Sequence, residues 1–394
     1  MACAEERVLT RKLSMPRLSR FEISNFFAVE PYKILFPLGA FFAILASLLW
    51  FVFSVGFINF YPKSAHSNLM FFGFLWSFIA GFLMTAIPKM TKTNLAKPFE
   101  VSIAFLLIVS QAFLNLHNQL RISVALFFVQ VAMLLFFGAA RVIKSGKIPF
   151  VGFIFLPVGM LQAMLGAVLY LLDFEVAKNF AYLLYGEALI FNLILGLGSR
   201  LIPVISRVPN AISPDVRSKK ELWLAPIAVL FLLNVGIWLQ LFGFTDSGAG
   251  LKFLAILAAA IFQLSLLKKP LVFSMLGLGI KAAVTLMLLG QFMSLSHFGY
   301  GLAAMHLVYI GGFALLTIMI SFRVILAHGA QDIGYEISSK RIGCISFVIA
   351  LAAILRFIGM FNYSSPYISA SILLLILAML LWLGKHFKIL KSIL

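Results

Sequence analysis

Twelve long apolar runs fill this chain, and only short polar loops separate them. The runs cover residues 35–60, 69–88, 99–116, 120–142, 149–172, 177–205, 221–244, 250–267, 270–293, 299–326, 341–361 and 366–387. A helix of about 20 apolar residues crosses the hydrocarbon core of a bilayer. In lipid, a helix satisfies its own backbone hydrogen bonds, which an isolated strand cannot do. The sequence therefore predicts an all-α polytopic membrane protein with about twelve transmembrane helices.

The composition leaves no room for a soluble domain. Hydrophobic residues make up 62% of the chain and charged residues 11%, whereas a soluble domain carries about 25% charged residues. We therefore divide the chain into a basic N-terminal segment, residues 1–33, and a twelve-helix membrane domain, residues 34–394.

The formal net charge of +18 does not indicate a nucleic-acid partner, because the basic residues are scattered among short loops. Most of them lie in segments on the same side as the N-terminus. The loops on the other side hold Lys63, Arg121, Lys178 and Lys252. Cytoplasmic loops of membrane proteins carry an excess of Lys and Arg, so we expect both termini in the cytoplasm.

A short motif recurs four helices apart. Thr85–Pro88 in helix 2, Arg200–Pro203 in helix 6 and Arg323–Leu326 in helix 10 are related versions of it. The pattern predicts three four-helix units. Because Ile and Pro are common near the ends of spans, coincidence remains the alternative.

Ionisable residues inside a membrane are costly and usually have a function. His66 lies at the outer mouth of helix 2, and His306 lies about two turns into helix 10 from the same side. Glu187 lies at a similar depth in helix 6 and Lys281 near the middle of helix 9. We expect Glu187 and Lys281 to form an ion pair, with a proton relay as the alternative.

The two histidines are candidate axial ligands of a haem. Met70 and Gly73 share a helix face with His66. Near His306, Gly311 and Gly312 leave helix 10 without side chains for two residues. Neutral imidazole nitrogens bind haem iron, and an apolar surrounding tunes it. The alternative is that both histidines only pack between helices and bond a carbonyl or water.

Three more polar residues lie towards the cytoplasmic ends of their helices. Arg200 and Arg323 are expected to reach the membrane interface with their charged ends, or else to lock helices or bind an anion. His328 lies 22 residues after His306, about 33 Å along a helix, so it cannot bind the same metal. We expect His328 to have a structural role or to belong to a second metal site. We interpret His117, His297 and His386 as ordinary polar residues.

Three blocks of the sequence resemble motifs of the NnrS family. The segments His66–Phe74 and Ala80–Pro88 are similar to its H-x-H-E-M-L-F-G-F and GFLLTA-x-P block, and Gly198–Pro203 is similar to its G-x-R-x-x-P segment. His306, Arg323 and His328 reproduce the spacing of its H-x16-R-x4-H-x-G block. The resemblance extends over nearly the whole chain. It implies a bacterial inner-membrane protein that is associated with haem and copper and takes part in the response to nitric oxide.

The chain departs from that family at two positions. Asn68 replaces the second His of the H-x-H-E-M motif, and Leu69 replaces its Glu. These changes remove two candidate ligands, which argues against copper and leaves haem as the expected cofactor.

A more distant similarity connects the chain to subunit I of the haem–copper oxidases, which are also built from three four-helix arcs. His66 and His306 match the two ligands of their low-spin haem. Ala304 replaces the ligand of the catalytic haem, Tyr185 replaces a copper ligand, and helix 7 contains no histidine. The similarity implies a low-spin bis-His haem without a complete oxidase or nitric-oxide reductase centre.

We therefore expect a haem-binding membrane protein of the nitrosative-stress response. It would act by binding or sensing nitric oxide or another small ligand, or by electron transfer with quinol or another redox partner. A transporter without haem is the main alternative, and a redox enzyme that uses the haem as an electron carrier is another.

Overall fold

The computed structural model of the protein describes residues 30–172, 180–209, 221–295, 299–328 and 334–391. Within these residues the fold is helical and contains no strand. Twelve helices are long and apolar enough to cross a membrane: α1 (Pro31–Phe53), α2 (Lys63–Thr91), α3 (Pro98–Leu116), α4 (Leu120–Ser145), α5 (Val151–Leu171), α6 (Phe180–Ile205), α7 (Trp223–Leu241), α8 (Thr245–Gln263), α9 (Met275–Met293), α10 (Gly301–His328), α11 (Lys340–Phe361) and α12 (Ser365–His386). The predicted all-α fold with twelve spans is confirmed.

Two helix ends differ from the predicted runs for local reasons. Helix α1 begins at Pro31, inside the predicted N-terminal segment, because Pro is favoured in the first helical turn. Helix α9 begins at Met275 and not at residue 270. The Ser274 side chain caps it by accepting a hydrogen bond from the Gly277 amide at 2.9 Å. The rest of the predicted N-terminal segment, residues 1–29, lies outside the described residues.

Helices α2, α6 and α10 form the interior of the bundle. In their most apolar stretches 78%, 72% and 72% of the residues are buried, against at most 61% in the other described spans. Even-numbered helices run from one end of the bundle, here called the His66 end, to the other, here called the Arg323 end. The three motifs found in the sequence therefore lie on the three inner helices.

Each inner helix contains a π-helical segment near its start. These segments are Leu69–Leu75 in α2, Leu183–Ala188 in α6 and Leu307–Ala314 in α10. A fourth, Ala259–Gln263, ends α8. π-Helical turns are rare and often mark functional sites. Their recurrence four helices apart agrees with the predicted three four-helix units.

The glycines near the two histidines serve helix packing. A Cβ atom on Gly312 would lie 2.8 Å from Cβ of Met287, and one on Gly73 would lie 2.9 Å from Cβ of Phe42. These distances are shorter than van der Waals contact, so only glycine lets α9 approach α10 and α1 approach α2. Neighbouring helices therefore occupy the space beside both glycines.

The twelve-helix order makes a direct prediction for membrane topology. Reporters fused after Tyr61 or Gly243 should be on one side of the membrane, and reporters fused after Lys92 or Gly146 on the other, which the charge distribution predicts to be cytoplasmic. Paired alkaline phosphatase and fluorescent-protein fusions measure this. The same signal from the Tyr61 and Lys92 fusions would contradict the helix order.

Candidate functional site

His66 lies in the first turn of α2 and is held by α1. Its Nδ1 atom lies 2.9 Å from the Ala46 carbonyl oxygen, and its ring meets the Trp50 ring edge to face with centroids 5.8 Å apart. A carbonyl oxygen only accepts hydrogen bonds, so Nδ1 carries the proton. The lone pair of the neutral imidazole is then on Nε2.

His306 has the same arrangement in the second turn of α10. Its Nδ1 atom donates to the Leu302 carbonyl oxygen at 2.8 Å, and its ring lies 6.1 Å from that of Tyr309. Among the described residues, none forms a hydrogen bond with Nε2 of either histidine. An imidazole whose Nδ1–H is fixed by a carbonyl is the usual state of a metal-binding histidine.

The third member of this group is Arg356 in α11, within two turns of the His66 end. Helix α11 packs against the first turns of α10, which carry His306, and the Arg356 guanidinium lies beside Trp50, whose ring contacts that of His66. The guanidinium carbon lies 5.9 Å from the Trp50 ring centroid. Sequence reasoning missed both Arg356 and Trp50. The sequence signal for Arg356 was a charged residue inside an apolar run.

Glu187 in α6 pairs with Lys252, so its predicted pairing with Lys281 was wrong. Glu187 accepts a hydrogen bond from Lys252 Nζ at 2.6 Å and another from the Tyr309 hydroxyl at 3.2 Å. Lys281 instead donates to the Lys268 carbonyl at 2.6 Å in an exposed position.

The shift in helix ends explains both errors. Because α9 begins at Met275, Lys281 lies only about 9 Å from that end. Because α8 begins at Thr245, Lys252 lies inside the helix and is 3% exposed, whereas the sequence had placed it in an outer loop.

The Glu187–Lys252 pair is connected to His306 through Tyr309. This tyrosine lies one turn after His306, and its ring packs edge to face on Phe71 of α2 with centroids 5.7 Å apart. Hydrogen bonds and ring contacts therefore join α2, α6, α8 and α10 at one depth of the bundle.

Asn68, which replaces a family histidine, has a structural role. Its side chain is 3% exposed, donates to Asn115 Oδ1 at 3.1 Å and accepts from the Tyr182 hydroxyl at 3.2 Å. In the described part of the chain, no three His, Cys, Asp or Glu residues come together as a metal site. Met70, also singled out from the sequence, is half-buried between the two hydrophobic clusters of the bundle.

Comparison with protein families decides the assignment. The model described as "NnrS protein" matches residues 26–393. The chain belongs to the NnrS family. A search of curated proteins gave no match. The family blocks recognised in the sequence fall on α2, α6 and α10, the inner helices of this NnrS family member.

At the Arg323 end, the arginines of the family motifs have different environments. Arg323 donates to Glu336 Oε1 at 2.6 Å, and Arg207 lies 3.8 Å from Oε2 of the same buried carboxylate. Arg323 thus locks α10 to the short helix Tyr335–Ser338. Arg200 is exposed and donates to the Pro149 carbonyl at 3.3 Å, as expected for a residue at the interface.

His328 ends α10 in a polar cluster with Glu30 and Lys89. The Lys89 ammonium lies 2.5 Å from Glu30 Oε1 and also bonds His328 Nδ1, which lies 3.5 Å from the same oxygen. Burial alone would raise the pKa of the Glu30 carboxyl, but the neighbouring His328 imidazole and Lys89 ammonium outweigh it and lower the pKa to about 2. This charged cluster ties the start of α1 to the ends of α2 and α10.

The remaining histidines are separate from the site. His386 was expected to be an ordinary polar residue, but it is 1% exposed and stacks on Trp382 with ring centroids 5.0 Å apart. His117 is exposed and donates to the Phe113 carbonyl. His297 lies outside the described residues.

The buried ion pair predicts a strongly non-additive mutant cycle. Glu187→Gln or Lys252→Met alone should destabilise the protein by about 3–5 kcal/mol, because each leaves one unpaired charge in a low-dielectric interior. The double variant should lose less stability than either single variant. Apparent melting temperatures in detergent measure this.

Lys281→Met is the matched control, because Lys281 lies near the surface of the bundle. It should change stability by no more than about 0.5 kcal/mol. Additive losses in the Glu187→Gln/Lys252→Met double variant would contradict a direct pair.

Proposed function

We propose that this NnrS family member is a haem-binding protein of the bacterial inner membrane, with both termini in the cytoplasm and His66 and His306 as the two axial ligands. One observation carries the proposal. At the same end of two inner helices, each histidine donates Nδ1–H to a backbone carbonyl and keeps its Nε2 lone pair unused by any described residue.

The surroundings suit a haem. The carbonyl bonds from Ala46 and Leu302 orient the rings and raise the basicity of Nε2. Trp50 and Tyr309 add aromatic surface beside the two imidazoles. A bound haem would supply an iron centre able to exchange one electron and, with a ligand displaced, to bind a small gas.

The proposed role is in the response to nitric oxide, as the family name suggests. If both imidazoles held the iron, nitric oxide would need one of their two positions. His66 would be the easier of the two to release, because it lies in the first turn of its helix, where helices fray more easily than in their interior. The alternative use of the haem is electron transfer with quinol or another redox partner.

A transporter without haem is the second candidate function. The Glu187–Lys252 pair inside the bundle and the π-helical breaks in the inner helices favour it, because intramembrane charges and irregular helices line substrate paths. The visible spectrum of the purified protein separates the two candidates.

Turnover of the haem–copper type is not part of the proposal. Ala304 and Tyr185 occupy the positions of two ligands that such a centre needs, and Asn68 is engaged in structural hydrogen bonds. We expect reconstituted membranes supplied with quinol to consume oxygen and nitric oxide far more slowly than respiratory enzymes do. Rapid haem-dependent gas uptake, measured with a gas electrode, would contradict this.

The spectrum of the purified protein tests the ligands. The wild type should contain low-spin haem that responds little to carbon monoxide when reduced. His66→Ala should open one side of the iron and allow carbon monoxide to bind. His306→Ala should lose most of the haem, because this residue lies deeper and has less access to substitute ligands.

His117→Ala is the control for loss of a histidine, since His117 is exposed at the end of α3. Its spectrum should match the wild type. A wild-type protein without haem would shift the function to transport. Unchanged spectra in both His66→Ala and His306→Ala would keep the haem and exclude these ligands.

A further inference from the structure

Arg356 is a buried cation without an anionic partner among the described residues. The residue is 8% exposed, and none of the described residues forms a hydrogen bond with its buried Nη1 atom. No carboxylate among the described residues forms an ion pair with it. A guanidinium does not lose its proton in a protein, so this residue cannot avoid the cost of burial by becoming neutral.

A second unused donor lies beside it. The Trp50 indole nitrogen is buried, and no residue in the described part of the chain accepts a hydrogen bond from it. The Trp50 ring contacts both the Arg356 guanidinium and the His66 ring, with separations of 5.9 and 5.8 Å. Buried donors in native proteins almost always have partners. Two unused donors in one place therefore indicate a missing acceptor.

The acceptor that fits these donors is a carboxylate. Arginine binds carboxylates through strong charge-assisted hydrogen bonds, and an indole N–H adds a neutral donor. Haem carries two propionate carboxylates on one edge of its ring. His66, His306 and Arg356 lie within two turns of the same end of the bundle, so a ring held by the two imidazoles can direct that edge towards Arg356.

We propose that Arg356, with the Trp50 indole N–H, binds a propionate carboxylate of the haem and so fixes the orientation of the ring between His66 and His306. The proposal rests on the proposed haem function and adds a residue on a third helix, α11, to the site. Arg356 is a positioning residue here, because it contacts the edge of the cofactor and not the iron.

The direct test compares haem with haem dimethyl ester, in which the propionates are neutral. Both are added to wild-type protein purified from cells that cannot make haem, and binding is followed by the visible spectrum. We expect the wild type to bind haem about ten- to a hundredfold more tightly than the ester, as loss of a charge-assisted hydrogen bond implies. Equal affinity for haem and ester would overturn the proposal.

Variants test whether Arg356 causes the preference for haem over the ester. Arg356→Gln should bind haem and ester with similar affinity, whereas Arg356→Lys should keep part of the preference because it keeps the charge. Arg121→Gln is the control, an exposed arginine at the same end of the bundle, and should behave as the wild type. A wild-type preference that persists in Arg356→Gln would overturn the role of Arg356.

The reduction potential gives an independent readout. Removal of a positive charge near the iron favours the ferric state, so the midpoint potential of Arg356→Gln should fall relative to wild type and Arg121→Gln. Arg356→Lys should fall less than Arg356→Gln. An unchanged potential in Arg356→Gln would count against the contact. Absence of any haem binding by wild type would instead refute the haem function, and this proposal with it.

Discussion

Hydrocarbon offers no hydrogen bonds, so each polar group within the bundle needs a partner from the protein itself. The structure meets this demand by bringing polar residues of neighbouring helices together. Lys252 and Tyr309 bond the Glu187 carboxylate, and Asn192 bonds the side chains of Gln162 and Asn234. These contacts fix how the inner helices α6 and α10 lie against α5, α7 and α8.

Where this rule is broken, the exceptions point to function. Other buried polar atoms without partners occur in the described residues, but Trp50 and Arg356 are in contact with each other and lie beside two histidines with unused Nε2 atoms. Two unused donors and two imidazole nitrogens thus lie at the His66 end of the bundle. The proposed haem would satisfy all four, the nitrogens through its iron and the donors through a carboxylate.

The sequence predicted the twelve spans because hydropathy and span length are properties of continuous segments. It missed helix ends that depend on a single cap: Ser274 starts α9 after three apolar residues that hydropathy assigns to the helix. That shift led to the wrong partner for Lys281. The two histidines were chosen as candidates because ionisable residues are rare in spans, and their role as ligands stays a prediction. Arg356 is also an ionisable residue within a span, but its place beside Trp50 and the start of α10 depends on how the helices pack, which the sequence does not give.

Electron paramagnetic resonance of the oxidised, purified protein tests the central claim most directly, because the signal reports the axial ligands of ferric haem. The account predicts a low-spin signal of the bis-imidazole type in the wild type that is lost in His66→Ala and in His306→Ala. A high-spin signal in the wild type, or a low-spin signal that persists in both variants, would show that these two histidines do not jointly ligate a haem.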